Sequence, residues 1–315
     1  MKIGFYQPHL CLRGTTVAMY DYAFYNQEIL GNESIIFYDK YNTHNHPTTI
    51  KKFSVFDCMA ISDISMLDRV LERKKCDAIY ITKGGHKNDG RMATACKTLI
   101  QAIAPVPETE KHGSVYAYGS HWLSKHCSDG RIPAVPYMVD LPDTDEDLRK
   151  TLDINREAIV FGRNGGIDTW DLPFADKVIY EALQEREDIY FLFQNTPISF
   201  THKRVLHLPS TSDMTFKTKF INSCDAMIHA RYIGESFGLS CAEFSIRNKP
   251  VITWSKSPER NHIEVLGEKA LLYSDAKGMK KQLTNFIKEP EQDWNCYREY
   301  SPEKIMKTFE QVYLK

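Results

Sequence analysis

Two glutamates, Glu235 and Glu243, stand either side of Phe237-Gly238-Leu239, directly behind the apolar run Ala226-Met227-Ile228. A buried strand over 226–230 puts Glu235 in the turn at that strand's carboxyl end, and Glu243 in a helix read over 239–247. The first N–H groups of such a helix have no partner inside it, and a glycine at 238 lets a ligand approach the backbone. Those amides and the helix dipole suit a phosphate or diphosphate. Glu243, one to two turns further on, stands where a carboxylate accepts hydrogen bonds from ribose hydroxyls. Glu235 faces whatever lies beyond the phosphate. A diphosphate between a ribose and a hydroxyl-rich group describes a nucleotide sugar. The plain alternative is a surface helix with two solvated glutamates.

On the stretch Glu235-Ser236-Phe237-Gly238-Leu239-Ser240-Cys241-Ala242-Glu243, followed by the strand KPVITW, the chain resembles the retaining glycosyltransferases of family 4, which have the GT-B fold. The resemblance implies that Glu235 approaches the donor sugar and that Glu243 holds the ribose. It also implies that backbone N–H groups at Phe237, Gly238 and Leu239 hold the diphosphate, with Ser236 beside them in the donor site. The segment FGRNGGIDTW (161–170) matches the place where the family supplies an arginine, and then a lysine, against the departing diphosphate. Arg163 fits the arginine. Where the lysine belongs, this chain has Asp168, Thr169 and Trp170, and the next lysine is Lys177. Gly165 and Gly166 are read as a nest of backbone N–H groups in compensation.

On the acceptor side the resemblance points to the loop after the first strand, with Arg13, Gly14 and Thr15; a plain strand-to-helix turn is the other reading. The family's histidine near the reacting centre falls by chain order at Gln101, so His86 and His112 are the alternatives, each also readable as a loop residue. Attack on the same face as the departing phosphate, which itself takes the acceptor's proton, needs no protein base. Arg231 and His229 are read as donor-site wall, with a buried histidine on a backbone carbonyl as the competing reading, and His262 as structural. The resemblance follows the second half closely and the first in outline.

The elements that must place these residues alternate along the chain. Short apolar runs without polar alternation read as strands buried on both faces at 2–6, 34–38, 77–82, 114–118, 158–162, 189–193, 205–208, 226–230 and 250–254. Helices are read between them at 16–30, 65–74, 173–186, 215–223 and 239–247, with Ser120 capping another over HWLSKHC. This rhythm predicts α/β architecture: two Rossmann-like doubly wound parallel sheets, as in GT-B, with ligands in a central cleft at the strands' carboxyl ends. Prolines 133, 136 and 142 and the acidic run DTDEDLRK mark a linker near 138–145. The expected divisions are an acceptor-side domain at 1–140, a donor domain at 141–300, and a helix at 301–315. That helix carries Ile305, Phe309, Val312 and Tyr313 on one stripe and is expected to pack back onto the first domain. Peripheral contact with a membrane is its second reading.

With 315 residues, 42% hydrophobic and 26% charged, the chain has enough apolar mass for two cores. A net charge of −1 gives no basic face for nucleic acid. The first apolar run is broken by Gln7, Pro8 and His9, unlike a signal peptide. The eight scattered cysteines without a CxxC pair suggest free thiols in the cytoplasm. No HxH, CxxC or HExxH spacing offers a metal site, no GxGxxG follows a strand, and no cofactor is expected beyond a UDP- or GDP-linked sugar as co-substrate. The expected partners are that donor and an acceptor hydroxyl on a glycan, lipid or protein. A nucleotide-sugar-binding protein without transferase activity and a GT-B-like epimerase are the competing functions.

Overall fold

A computed structural model of the chain describes residues 1–90 and 92–315. The chain forms two compact units, Met1–Met138 with Tyr300–Lys315, and Val139–Glu299. Each holds a six-stranded sheet whose strand pairs all run parallel. These are the two Rossmann-like units of a GT-B fold, as the alternation of strand and helix predicts.

In the first unit the strands are β1 (Lys2–Tyr6), β2 (Glu33–Asp39), β3 (Asp57–Ile61), β4 (Ala78–Lys83), β5 (Lys97–Ala102) and β6 (Val115–Tyr118). The helices are α1 (Gly14–Glu28), α2 (Pro47–Phe53), α3 (Leu67–Lys74) and α4 (His121–Ser128). Spatial order is β3-β2-β1-β4-β5-β6, so the winding reverses between β1 and β4. Ser120 caps α4 as expected, its hydroxyl accepting from Leu123 N–H at 3.2 Å. In the same unit, the final helix (Pro302–Phe309, with one wider turn to Leu314) lays Phe309 against the rings of Tyr22 and Tyr80. The Tyr313 hydroxyl donates to the Ile100 carbonyl at 3.0 Å.

The second unit contains β7 (Ile159–Asn164), β8 (Ile189–Gln194), β9 (Val205–Leu208), β10 (Ala226–His229), β12 (Val251–Trp254) and β14 (Leu271–Tyr273) in its main sheet. A two-residue pair, β11 (Gly234–Glu235) and β13 (Glu259–Arg260), stands apart from it. The helices are α5 (Ala175–Glu185), α6 (Met214–Asn222), α7 (Leu239–Ile246), α8 (Asn261–Leu266) and α9 (Ala276–Thr284), with Pro302–Phe309 numbered α10. The order β14-β12-β10-β7-β8-β9 reverses between β10 and β7. The carboxyl ends of those two strands therefore flank the crevice that doubly wound sheets use for ligands. Every residue of β7 and β10 is buried; both begin as apolar runs, and each ends in buried polar residues, Arg163 and Asn164 on β7 and His229 on β10.

Strands at the sheet edges are less legible. β3 and β14 lie at edges and are half exposed, and β14 is only three residues long, too short for its apolar LLY to stand out as a strand. β5 is central but interrupted by Gln101, whose side chain is fully bonded: it accepts from Tyr80 OH at 2.6 Å and donates to the Val135 carbonyl at 2.7 Å and to Tyr22 OH at 3.1 Å. A buried polar side chain satisfied in this way costs little.

β7 can pass under α7 because residue 162 has no side chain. A Cβ on Gly162 would meet the Phe244 ring at 2.8 Å and overlap the Cys224 thiol, both buried. Gly162→Ala is therefore expected to destabilise the protein by about 1–3 kcal/mol, the usual cost of overpacking. Urea unfolding checks it; an unchanged midpoint would show that this contact is loose.

Candidate functional site

β7 and β10 deliver the site's charges. Arg163, next to last in β7, is 1% exposed. Its Nη2 donates to the Thr169 carbonyl at 2.9 Å and hydroxyl at 2.8 Å, while Nε has no hydrogen-bond partner among the described residues. Burial pushes its pKa down, and the nearby Glu235 carboxylate acts against that. Thr169 in turn donates to the Gly166 carbonyl at 2.8 Å, so the loop folds onto the guanidinium. Gly165 is small for a direct reason: a Cβ there would lie 2.6 Å from Arg163 Nη2. Neither Gly165 nor Gly166 takes the left-handed φ that an alternating backbone nest requires, which corrects that expectation. Where the second cation was sought, Thr169 braces Arg163, and Trp170 donates to Asp176 at 2.7 Å while packing on Phe193. Lys177 is exposed on α5, with Glu181 3.9 Å away.

The turn after β10 carries Arg231 and Glu235. Glu235 Oε2 accepts from Arg231 Nη1 at 2.9 Å, and Oε1 lies 3.1 Å from His229 Nε2. Burial raises the Glu235 pKa, but the His229 hydrogen bond and the charges of Arg231 and Arg163 outweigh it and bring the carboxyl down to about 2. His229 is fully buried, and burial lowers its pKa. The ionised partner is thus Glu235, with a neutral imidazole beside it. Gly234, at φ +80, has no room for a Cβ against the Glu259 carbonyl and Ser257, so β11 can lie on β13 only as glycine.

Gly238 opens α7 at φ +89, where a Cβ would sit 3.0 Å from His262 Cβ and 3.2 Å from Glu235 Cβ. No side chain caps the helix; Ala242 N–H reaches back to the Gly238 carbonyl at 2.9 Å, and the amides ahead of it lie at the positive end of the dipole. Phe237 anchors the turn: it is buried against Tyr297, and its carbonyl accepts from Asn261 at 2.8 Å. Ser236 and Leu239 are partly exposed on either side of Phe237-Gly238. Glu243 is only 2% exposed, with Oε1 2.5 Å from Lys217 Nζ and Oε2 accepting from Asn164 at 3.1 Å.

Arg163, Arg231, Glu235, Gly238 and Glu243 thus gather at the β7/β10 reversal. The residues expected on the acceptor side belong to the first unit. Arg13 is the N-cap residue of α1, followed by Gly14 and Thr15. His86 follows β4; its Nδ1 is 3.6 Å from Glu110 Oε2 and its N–H donates to Asp89 at 2.8 Å. His112 Nδ1 lies 2.6 Å from the Glu110 carbonyl, and its ring packs on Tyr116. His86 and His112 therefore share the Glu110 loop. Among the described residues no cluster of His, Cys, Asp and Glu is placed to hold a metal ion.

Lys217, Asn164 and Thr253 belong to the site's polar framework and have no motif of their own. Asn164 adjoins Arg163, but Lys217 comes from α6 and is placed only by packing.

No family model matches the chain, and no curated protein is similar to it in sequence. Solved structures share its fold over its whole length. A glycosyltransferase from Rickettsia africae ESF-5 superposes with a TM-score of 0.70 at 13% identity, covering 99% of this chain and 97% of that one. Sucrose-phosphate synthase from Thermosynechococcus elongatus gives 0.70 at 13% identity, with 100% and 98% covered. Anabaena Alr3699/HepE in complex with UDP-glucose gives 0.67 at 12% identity, with 99% and 95% covered.

The buried charges set an acid limit. Folded His229 and His262 have lowered pKa values, as burial also dictates for His112 and His121, whereas an unfolded histidine takes a proton near 6.5. Below that pH the unfolded chain binds more protons, so stability falls as pH falls. Glu235 adds a second loss between its ordinary 4.5 and about 2. The urea midpoint is expected to be lower at pH 5.5 than at 7.5; an equal or higher midpoint would contradict neutral buried histidines.

Proposed function

We propose that the chain is a retaining glycosyltransferase that moves a hexosyl or pentosyl group from a UDP- or GDP-linked donor to an acceptor hydroxyl on a glycan, lipid or protein. The observation that carries this reading is the ionised Glu235 carboxylate held beside Arg163 and Arg231 at the uncapped amino end of α7. A proton-free carboxylate next to an anion-binding helix end suits a sugar that develops positive charge as a diphosphate departs. HepE, of the same fold, was solved with UDP-glucose. None of the eight cysteines is in a disulfide, which fits a reducing, cytoplasmic setting.

Chemically the mechanism is electrostatic. The α7 amides, Arg163 and Arg231 stabilise charge building on the leaving diphosphate, so that preorganised dipoles and guanidinium groups, rather than a divalent cation, carry this role. Arg231 stands in for the family's lysine. Glu235 faces the developing oxocarbenium ion, and the departing phosphate takes the acceptor's proton on the same face. Glu243, fixed by Lys217 and Asn164, keeps lone pairs for ribose hydroxyls, since a carboxylate accepts about four hydrogen bonds. In the first unit, Arg13, Gly14, Thr15, His86 and His112 are assigned to the acceptor.

Glu235→Gln is expected to cut turnover by roughly 10²-fold or more with donor affinity little changed, because the lost interaction belongs to the transition state. Full-rate turnover would remove Glu235 from the mechanism. Glu243→Gln is expected to weaken UDP binding by about 10-fold, the worth of one charge-assisted hydrogen bond. Calorimetry showing unchanged UDP affinity would refute the ribose contact.

A further inference from the structure

We propose that His229, Thr253 and His262 form a positioning chain that orients the Glu235 carboxylate and keeps it from closing onto Arg231. The inference rests on Glu235 being the group that meets the donor sugar. His229 and Thr253 are register partners on the parallel strands β10 and β12, so their side chains rise from the same face of the sheet. His229 Nδ1 lies 2.9 Å from Thr253 Oγ1, which lies 3.0 Å from His262 Nε2. All three residues have no exposed surface, and the two rings are 4.8 Å apart.

Donor directions follow from chemistry. An ionised carboxylate only accepts, so His229 Nε2 carries the hydrogen facing Glu235. Burial and the neighbouring Arg163 and Arg231 disfavour a second proton on that ring, which leaves Nδ1 bare. Thr253 then donates its only hydrogen to His229 Nδ1, and its oxygen accepts from His262 Nε2–H. Of the polar atoms of these three side chains, only His262 Nδ1 has no hydrogen-bond partner among the described residues. Every donor points towards Glu235, and each bond polarises the next.

What this secures is the split of the two carboxylate oxygens. Arg231, four residues before Glu235, could take both in a bidentate fork, the favoured geometry for guanidinium and carboxylate. His229 holds Oε1, leaving Arg231 on Oε2 alone with donors to spare for an anion. Its ring plane is in turn fixed by Thr253 and His262. Removing the Thr253 hydroxyl frees the imidazole to turn, and the carboxylate with it.

The test uses the full chain with 15N-labelled histidine and the variants Thr253→Val, which keeps the shape without the hydroxyl, and Thr253→Ser, which restores it. Ring-nitrogen NMR is expected to show His229 and His262 as neutral Nε2–H tautomers in the wild type and in Thr253→Ser. In Thr253→Val, His229 should become a tautomer mixture or take a proton. With UDP-glucose as the probe donor, Thr253→Val should lower kcat by about 10-fold or more, the cost of a misplaced catalytic group. KM and UDP affinity should stay within about twofold, and Thr253→Ser should recover the rate. An Nδ1–H tautomer or an imidazolium at His229 in the wild type overturns the chain, and so decides the matter even if UDP-glucose is not turned over. Wild-type kcat in Thr253→Val overturns it too, as does equal impairment of both variants. Full activity in Glu235→Gln would instead remove the reading of Glu235 itself.

Discussion

A carboxylate drawn largely out of water is expensive unless its charge is answered, and at Glu235 two arginines and a buried imidazole answer it. The surrounding structure follows from that requirement. Arg163 must come up through the sheet on β7, Arg231 must sit one turn away in chain distance, and His229 must end β10. These conditions are met together only where β7 and β10 lie side by side, at the reversal of strand order. The site is therefore a property of the winding as much as of the residues.

Close packing makes the same point from the backbone side. Gly165 lets the Arg163 guanidinium cross its own loop, Gly234 lets β11 lie on β13, and Gly238 turns the chain into α7 between His262 and Glu235. Two of the three, Gly234 and Gly238, also hold left-handed φ values that other residues adopt at a cost. The glycines fix where the helix begins, and hence where its unpaired amides point. Among the described residues Arg163 Nε and Asn164 Oδ1, at the same strand end, have no hydrogen-bond partner, so polar capacity is unused where a ligand is proposed. A folded chain holds such groups unsatisfied mainly where strain or function requires it.

Much of this was legible in the sequence, for identifiable reasons. Fully buried central strands write themselves as apolar runs, and the Glu235–Glu243 spacing around Phe237-Gly238 states a strand, a turn and a helix start. Edge strands β3 and β14 were not legible: β14 is only three residues long, and β3 is a short, half-exposed run opened by an aspartate. Lys217 reaches Glu243 from 26 residues earlier, and Asn164 from 79, so no local pattern could announce either. Thr253 looked like an ordinary strand residue; only the register of β10 on β12 sets it beside His229. The need for a glycine at 165 became plain only from the structure, where the missing side chain makes room for the Arg163 guanidinium, while a side chain at 166 would meet Thr169.

The central claim is that a nucleotide sugar's diphosphate sits on the first amides of α7 with Arg163 and Arg231 beside it and the sugar turned towards Glu235. A crystal structure of the protein with UDP-glucose addresses it most directly. The account predicts diphosphate oxygens within hydrogen-bonding distance of the backbone between Phe237 and Leu239 and of a guanidinium. A nucleotide bound with its diphosphate away from α7, or with its sugar remote from Glu235, would contradict it.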